Sequence, residues 1–96
     1  MYGTVARFRV KPGMEAQMEE LGRQEVPQIP GYLFQHVFRM DADANECYLV
    51  VAFESKEAYQ ANATSPEQHD RFRQFSALME TEPEWHDGEV MFSHSL

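Results

Sequence analysis

The chain has a single cysteine, Cys47, so no internal disulfide can form. It lies in the apolar run Cys47-Tyr48-Leu49-Val50-Val51-Ala52-Phe53 and reads as a buried, unreactive thiol, a usage that fits a reducing cytoplasmic compartment. Basic residues are scarce as well: eight Lys and Arg stand against sixteen Asp and Glu, a formal net charge of −8. That balance repels phosphate backbones and anionic membrane surfaces, which excludes nucleic acid and lipid as expected partners. No apolar stretch approaches the ~20 residues that a membrane-spanning helix needs, and no basic-then-apolar leader opens the chain. The four histidines show neither His-x-His nor His-x-x-x-His spacing, so no metal site is expected. Glycine-rich phosphate loops, CxxC pairs and nucleophile elbows are also missing.

What is present is bulky. Ninety-six residues carry seven Phe, four Tyr, six Met and one Trp. A domain of this length buries little of its own surface, so part of that bulk can serve a subunit interface as well as a core.

Residues Tyr2 to Val10 alternate as a strand, with Tyr2, Thr4, Ala6, Phe8 and Val10 on one face and Gly3, Val5, Arg7 and Arg9 on the other. The two arginines are expected to pair with acidic residues across strands or across the dimer. Lys11-Pro12-Gly13 breaks the strand, and a helix is expected from about Met14 to Gln24, closed by Pro27, Pro30 and Gly31. A second strand runs from Tyr32 to Met40, a polar turn from Asp41 to Asn45, and a third strand from Cys47 to Phe53. The third strand is apolar on both faces, which predicts cover on both: helices on one side and a partner subunit on the other. Ser55 caps a short helix, Lys56 to Asn62. Ser65-Pro66-Glu67-Gln68 is a cap, first-turn proline and capping-box sequence opening a helix to about Glu80, with Phe72, Phe75 and Met79 inward. Asp87-Gly88 is expected to turn the chain into a last strand, Glu89 to Ser93. The order β-α-β-β-α-β, with its second helix split, is an α+β ferredoxin-like arrangement with a four-stranded antiparallel sheet, in one domain spanning residues 1–96.

Three segments together resemble a known family. They are Val5-Ala6-Arg7-Phe8-Arg9-Val10-Lys11-Pro12-Gly13; Pro30-Gly31-Tyr32; and Phe53-Glu54-Ser55-Lys56-Glu57-Ala58-Tyr59 followed by Ser65-Pro66-Glu67-Gln68-His69 and Phe72. In order and spacing they are similar to the antibiotic biosynthesis monooxygenase (ABM) domains of the dimeric α+β barrel group, over roughly residues 2 to 95. The resemblance implies a homodimer with its sheets face to face, and a pocket between sheet and helices in each subunit. It also implies an oxygenase that needs no cofactor and acts on a phenolic or quinol-like molecule. Haem-degrading relatives use an Asn on the first strand, a Trp on the short helix and a His on the long one. Ala6, Asn62 and Phe72 stand there in this chain, and a phenyl ring has no lone pair for iron.

Tyr59 and Asn62 are three apart on the short helix and share a face. His69, Phe72, Ser76 and Met79 follow one side of the long helix. His69 would be the base and Asn62 the residue that places a carbonyl or oxyanion, beside Tyr59, Phe72 and Ser76 as binding residues. The alternative is that Asn62 only ends its helix and His69 is solvated in the next first turn. His36 shares a strand face with Phe34 and Phe38, and so faces either the pocket or a subunit interface. Trp85 reads as a packing anchor. Two functions stay open: a cofactor-independent monooxygenase, or a non-catalytic dimer that holds a small apolar or aromatic ligand.

Overall fold

The computed structural model describes residues 1–24 and 28–96. Seven elements follow one another: β1 (Tyr2–Arg9), α1 (Glu15–Gly22), β2 (Tyr32–Arg39), β3 (Glu46–Phe53), α2 (Lys56–Ala63), α3 (Pro66–Ser76) and β4 (Glu84–Glu89). The strands form one sheet in the order β2-β3-β1-β4, every pairing antiparallel. This is the expected α+β arrangement with its split helix. The expected helix stop at Pro27 lies outside the described residues.

The alternation in β1 sorts the sheet into two faces. Thr4, Ala6, Phe8 and Val10 are buried beneath the helices, whereas Val5 and Arg7 are exposed on the other face. Register carries this division across the sheet. Ala6 lies between Leu49 and Trp85, and Thr4 between Val51 and Asp87, on the helix side. Val50 has Val5 and His36 as neighbours, and Tyr48 has Arg7 and Phe38, on the open side. Along β3, Cys47 and Phe53 on the helix face are buried, whereas on the open face Ala52 is buried but Tyr48 and Val50 are half-exposed. Burial pushes the Cys47 thiol pKa up, as an inert core thiol requires.

Two packed clusters lie beneath the helices. One joins Phe8, Val10, Met18, Cys47 and Met79. The other is aromatic: Tyr59 of α2 meets Tyr2 and Phe53 edge-on at ring separations of 5.3 and 5.8 Å, and Tyr32 meets Phe53 at 5.7 Å. Gly3 lets β1 and β3 approach closely, since a Cβ there would stand 1.8 Å from the Val51 carbonyl oxygen. Ser55 Oγ accepts from the Ala58 N–H and Ser65 Oγ from the Gln68 N–H, both at 3.1 Å, so both expected caps form. The reciprocal half of the capping box does not, because the Ser65 N–H goes to the Asn62 carbonyl at 3.0 Å.

Two boundaries differ from expectation. α3 stops at Ser76 rather than Glu80, because the chain beyond it joins the end of β1: the Lys11 N–H donates to the Leu78 carbonyl, the Glu80 N–H to the Arg9 carbonyl, and Lys11 Nζ to the Ala77 carbonyl. The last strand runs from Glu84 to Glu89 rather than from Glu89 to Ser93, and Asp87-Gly88 lies inside it. The turn chemistry of Asp-Gly gives way to pairing along β1, where Glu84 faces Arg7 at 3.7 Å. β4 is an edge strand, exposed along its length, and carries Glu84, Asp87 and Glu89. Arg7 also pairs with Glu46 of β3, so it pairs across strands as expected, whereas Arg9 pairs with Asp43 of the β2–β3 turn (2.9 Å) and Glu80 beyond α3 (3.3 Å), neither of them on a strand.

Candidate functional site

The two clusters leave a stretch of sheet between them, floored by the small side chains of Ala6 and Thr4. Ala6 is wholly buried, and the Thr4 hydroxyl is buried without a hydrogen-bond partner among the described residues. β4 faces the helices over this stretch with two side chains, each engaged by one helix. Asp87 Oδ1 accepts the Tyr59 hydroxyl of α2 at 2.8 Å. Trp85 packs on Phe72 of α3, ring centroids 5.8 Å apart.

Tyr59 is the most strongly perturbed titratable group described. Burial, reinforced by the hydrogen bond to Asp87 and its negative charge, pushes the phenol pKa up to about 12. Tyr59 therefore stays protonated at neutral pH, with its proton directed to Asp87, while the neighbouring Thr4 hydroxyl acts against the upward shift.

Where α2 meets α3, three polar side chains lock together. Arg71 Nη2 donates to Asn62 Oδ1 (3.2 Å) and Gln68 Oε1 (2.9 Å), and Arg71 Nε donates to Gln68 Oε1 (3.2 Å). Asn62 Nδ2 lies 3.5 Å from the same Gln68 oxygen. Asn62 lies in the last turn of α2, one residue before its end at Ala63, and its carbonyl accepts the Ser65 hydroxyl at 2.8 Å. It thus stands both in the last turn of its helix and in a polar wall.

The structure brings Tyr59, Asn62 and Phe72 to the helix side of the sheet and separates the others. His69 is exposed on the first turn of α3, because the inward stripe runs through Gln68, Arg71, Phe72 and Phe75. Ser76 is half-buried at the helix end, its hydroxyl turned back to the Arg73 carbonyl at 3.1 Å. His36 lies on the open face of the sheet beside Phe34, ring centroids 5.2 Å apart, and cannot share a pocket with α2 or α3. An open groove of about 630 Å³ between α1 and α3, walled by Ala16, Leu21 and Leu78 among others, contains none of these residues. Among the described residues no group of three His, Cys, Asp or Glu side chains is placed to hold a metal, and no helix is long and apolar enough to cross a membrane.

The sequence profile described as antibiotic biosynthesis monooxygenase matches residues 1–83. The chain belongs to the ABM family. Solved structures agree on the fold. A candidate antibiotic biosynthesis monooxygenase from Chloroflexus aurantiacus superposes with a TM-score of 0.80 at 20% identity, over 98% of this chain and 96% of that one. Another from Bordetella bronchiseptica gives 0.82 at 19% identity, over 95% and 97%. SnoaB, a cofactor-independent oxygenase from Streptomyces nogalater solved as an asparagine-to-alanine variant, gives 0.77 at 17% identity, over 96% and 94%. Among curated proteins there is no significant sequence match.

Within this ABM domain the geometry adds residues that sequence reasoning passed over. Asp87 had been assigned to a turn. Gln68 and Arg71 have the i, i+3 spacing of a helix-surface pair, which was the available signal. Trp85 does anchor packing, as expected, and in doing so it also faces the candidate site.

Proposed function

We propose that this ABM domain is a cytoplasmic homodimer acting as a cofactor-independent monooxygenase on an aromatic or quinol-like small molecule. The observation that carries the reading is the row along β4, where Asp87 and Trp85, two residues apart on the helix face, are engaged by Tyr59 and Phe72 respectively. The aromatic pair supplies faces for a ring to stack on. The polar pair supplies a route for a proton. A ligand hydroxyl donates to the Tyr59 oxygen while Tyr59 donates to Asp87, so a proton moves outward through the phenol to an exposed carboxylate. The electron-rich ligand anion left behind then reduces oxygen itself. Asn62 stands at the α2–α3 junction with its amide tied to Gln68 and Arg71, and Ser76 lies apart at the end of α3. His69 is an acceptor reachable only from solvent.

The dimer reading is supported by the open face of the sheet. No helix covers Val5, Phe38, Tyr48 and Val50, and Phe38 is 54% exposed. Sheets packed through that face would bury His36 in the interface rather than in the ligand site.

A second reading, a non-catalytic dimer that holds a small apolar ligand, is favoured by the exposure of His69, which leaves no histidine base at the site. Oxygen uptake by the purified protein with a panel of phenols and hydroquinones separates the two. Turnover that falls at least tenfold in Asp87→Asn supports the oxygenase. Tight ligand binding without uptake selects the binding module.

A further inference from the structure

The chain contains six arginines, and five of them sit within 4 Å of a carboxylate: Arg7, Arg9, Arg23, Arg39 and Arg73. Arg71 is different. Among the described residues its partners are the oxygens of Asn62 and Gln68, two neutral amides. Amide oxygens orient a guanidinium without cancelling its charge, and Arg71 is half-buried, where an uncompensated cation is costly. This occurs in a protein with sixteen acidic residues available to pair with it. The amides occupy Nε and Nη2, and Nη1 makes no hydrogen bond among the described residues. The next residue along the helix is Phe72, whose ring lies at a tilt against Trp85, centroids 5.8 Å apart.

We propose that Arg71, aimed by Asn62 and Gln68, is a binding site for an anionic oxygen carried on an aromatic ring, with the ring lying against Phe72 and Trp85 and the oxygen accepting from Nη1. The ligand class is an aromatic acid, through a carboxylate or an ionised phenol. Charge-assisted hydrogen bonds to a planar guanidinium are the strong kind, and a partly desolvated site strengthens them further. The inference rests on the reading of the Phe72–Trp85 side as the ligand site and adds to it the charge that the ligand must carry.

Trp85, the chain's single tryptophan, reports occupancy by its fluorescence. The intact protein is titrated at pH 7.5 with 4-hydroxybenzoate and with its neutral isostere 4-hydroxybenzamide. The expected result is that the acid binds about ten- to a hundredfold more tightly than the amide. Arg71→Gln abolishes that preference by weakening the acid far more than the amide, and Arg71→Lys, which keeps the charge but not the fork, retains a reduced preference. Circular dichroism and thermal melts check each variant's fold, and the acid-to-amide ratio in the wild-type protein needs no variant at all. Amide bound as well as acid, or a preference that survives in Arg71→Gln, overturns the Arg71 inference and leaves the aromatic site standing. Binding of neither compound overturns both.

Discussion

Tyr59→Phe tests the account of the buried phenol. Phenylalanine keeps the ring, so the edge contacts with Tyr2 and Phe53 survive and only the hydroxyl is lost. A hydrogen bond to a carboxylate contributes roughly 1.5–3 kcal/mol, and the exposure of Asp87 brings this one below that range, to about 1 kcal/mol. Wild type is thus expected to be about 1 kcal/mol more stable than Tyr59→Phe at pH 7. An unfolded tyrosine titrates near pH 10, and Tyr59 in the fold only at about 12. Below pH 10 both states hold the proton and the difference is constant. Above it the unfolded chain releases a proton that the native chain keeps, so the unfolded state gains, by about 1.4 kcal/mol per pH unit. The wild-type advantage should vanish near pH 11 and then reverse. Urea denaturation of the two proteins in parallel from pH 8 to 11.5 measures this, and the other titrating groups cancel in the difference. Stabilities that stay parallel across that range would refute the account of Tyr59.

Other expectations follow from packing. Gly3→Ala drives a methyl into the Val51 carbonyl, and urea denaturation should show a loss of at least about 3 kcal/mol. If copies pair through the open sheet face, sedimentation at micromolar concentration gives about twice the 11.2 kDa chain mass, and Phe38→Glu returns it to the monomer with its secondary structure intact. A wild-type monomer would remove the face-to-face dimer.

Most of the fold was legible because its signals are local. Alternation in β1, the serine caps before α2 and α3, and the Lys11-Pro12-Gly13 break each act within a few residues. β4 was not legible in that way. Its residues, Glu-Trp-His-Asp-Gly-Glu, have poor strand chemistry, and only the template of β1 makes them a strand. Losing β4 hid Asp87, and with it the partner of Tyr59. His69 was misplaced by phase: residues 69, 72 and 76 and residues 68, 72 and 75 both read as helix stripes, and only packing against the sheet chooses the second. Arg71 gave no warning because an arginine in a polar helix looks solvated until its neighbours in space are known.

The composition of β4 has a bearing on how copies of this chain can meet. An edge strand offers unpaired backbone groups to any other strand, and proteins guard such edges with charge. Two β4 edges laid antiparallel end to end would bring Glu84 of one copy against Glu89 of the other at both ends of the pairing, with the two Asp87 carboxylates close by at its centre. That repulsion resists endless sheet growth from this side, so a strand that folds poorly on its own also guards the protein against fibre formation.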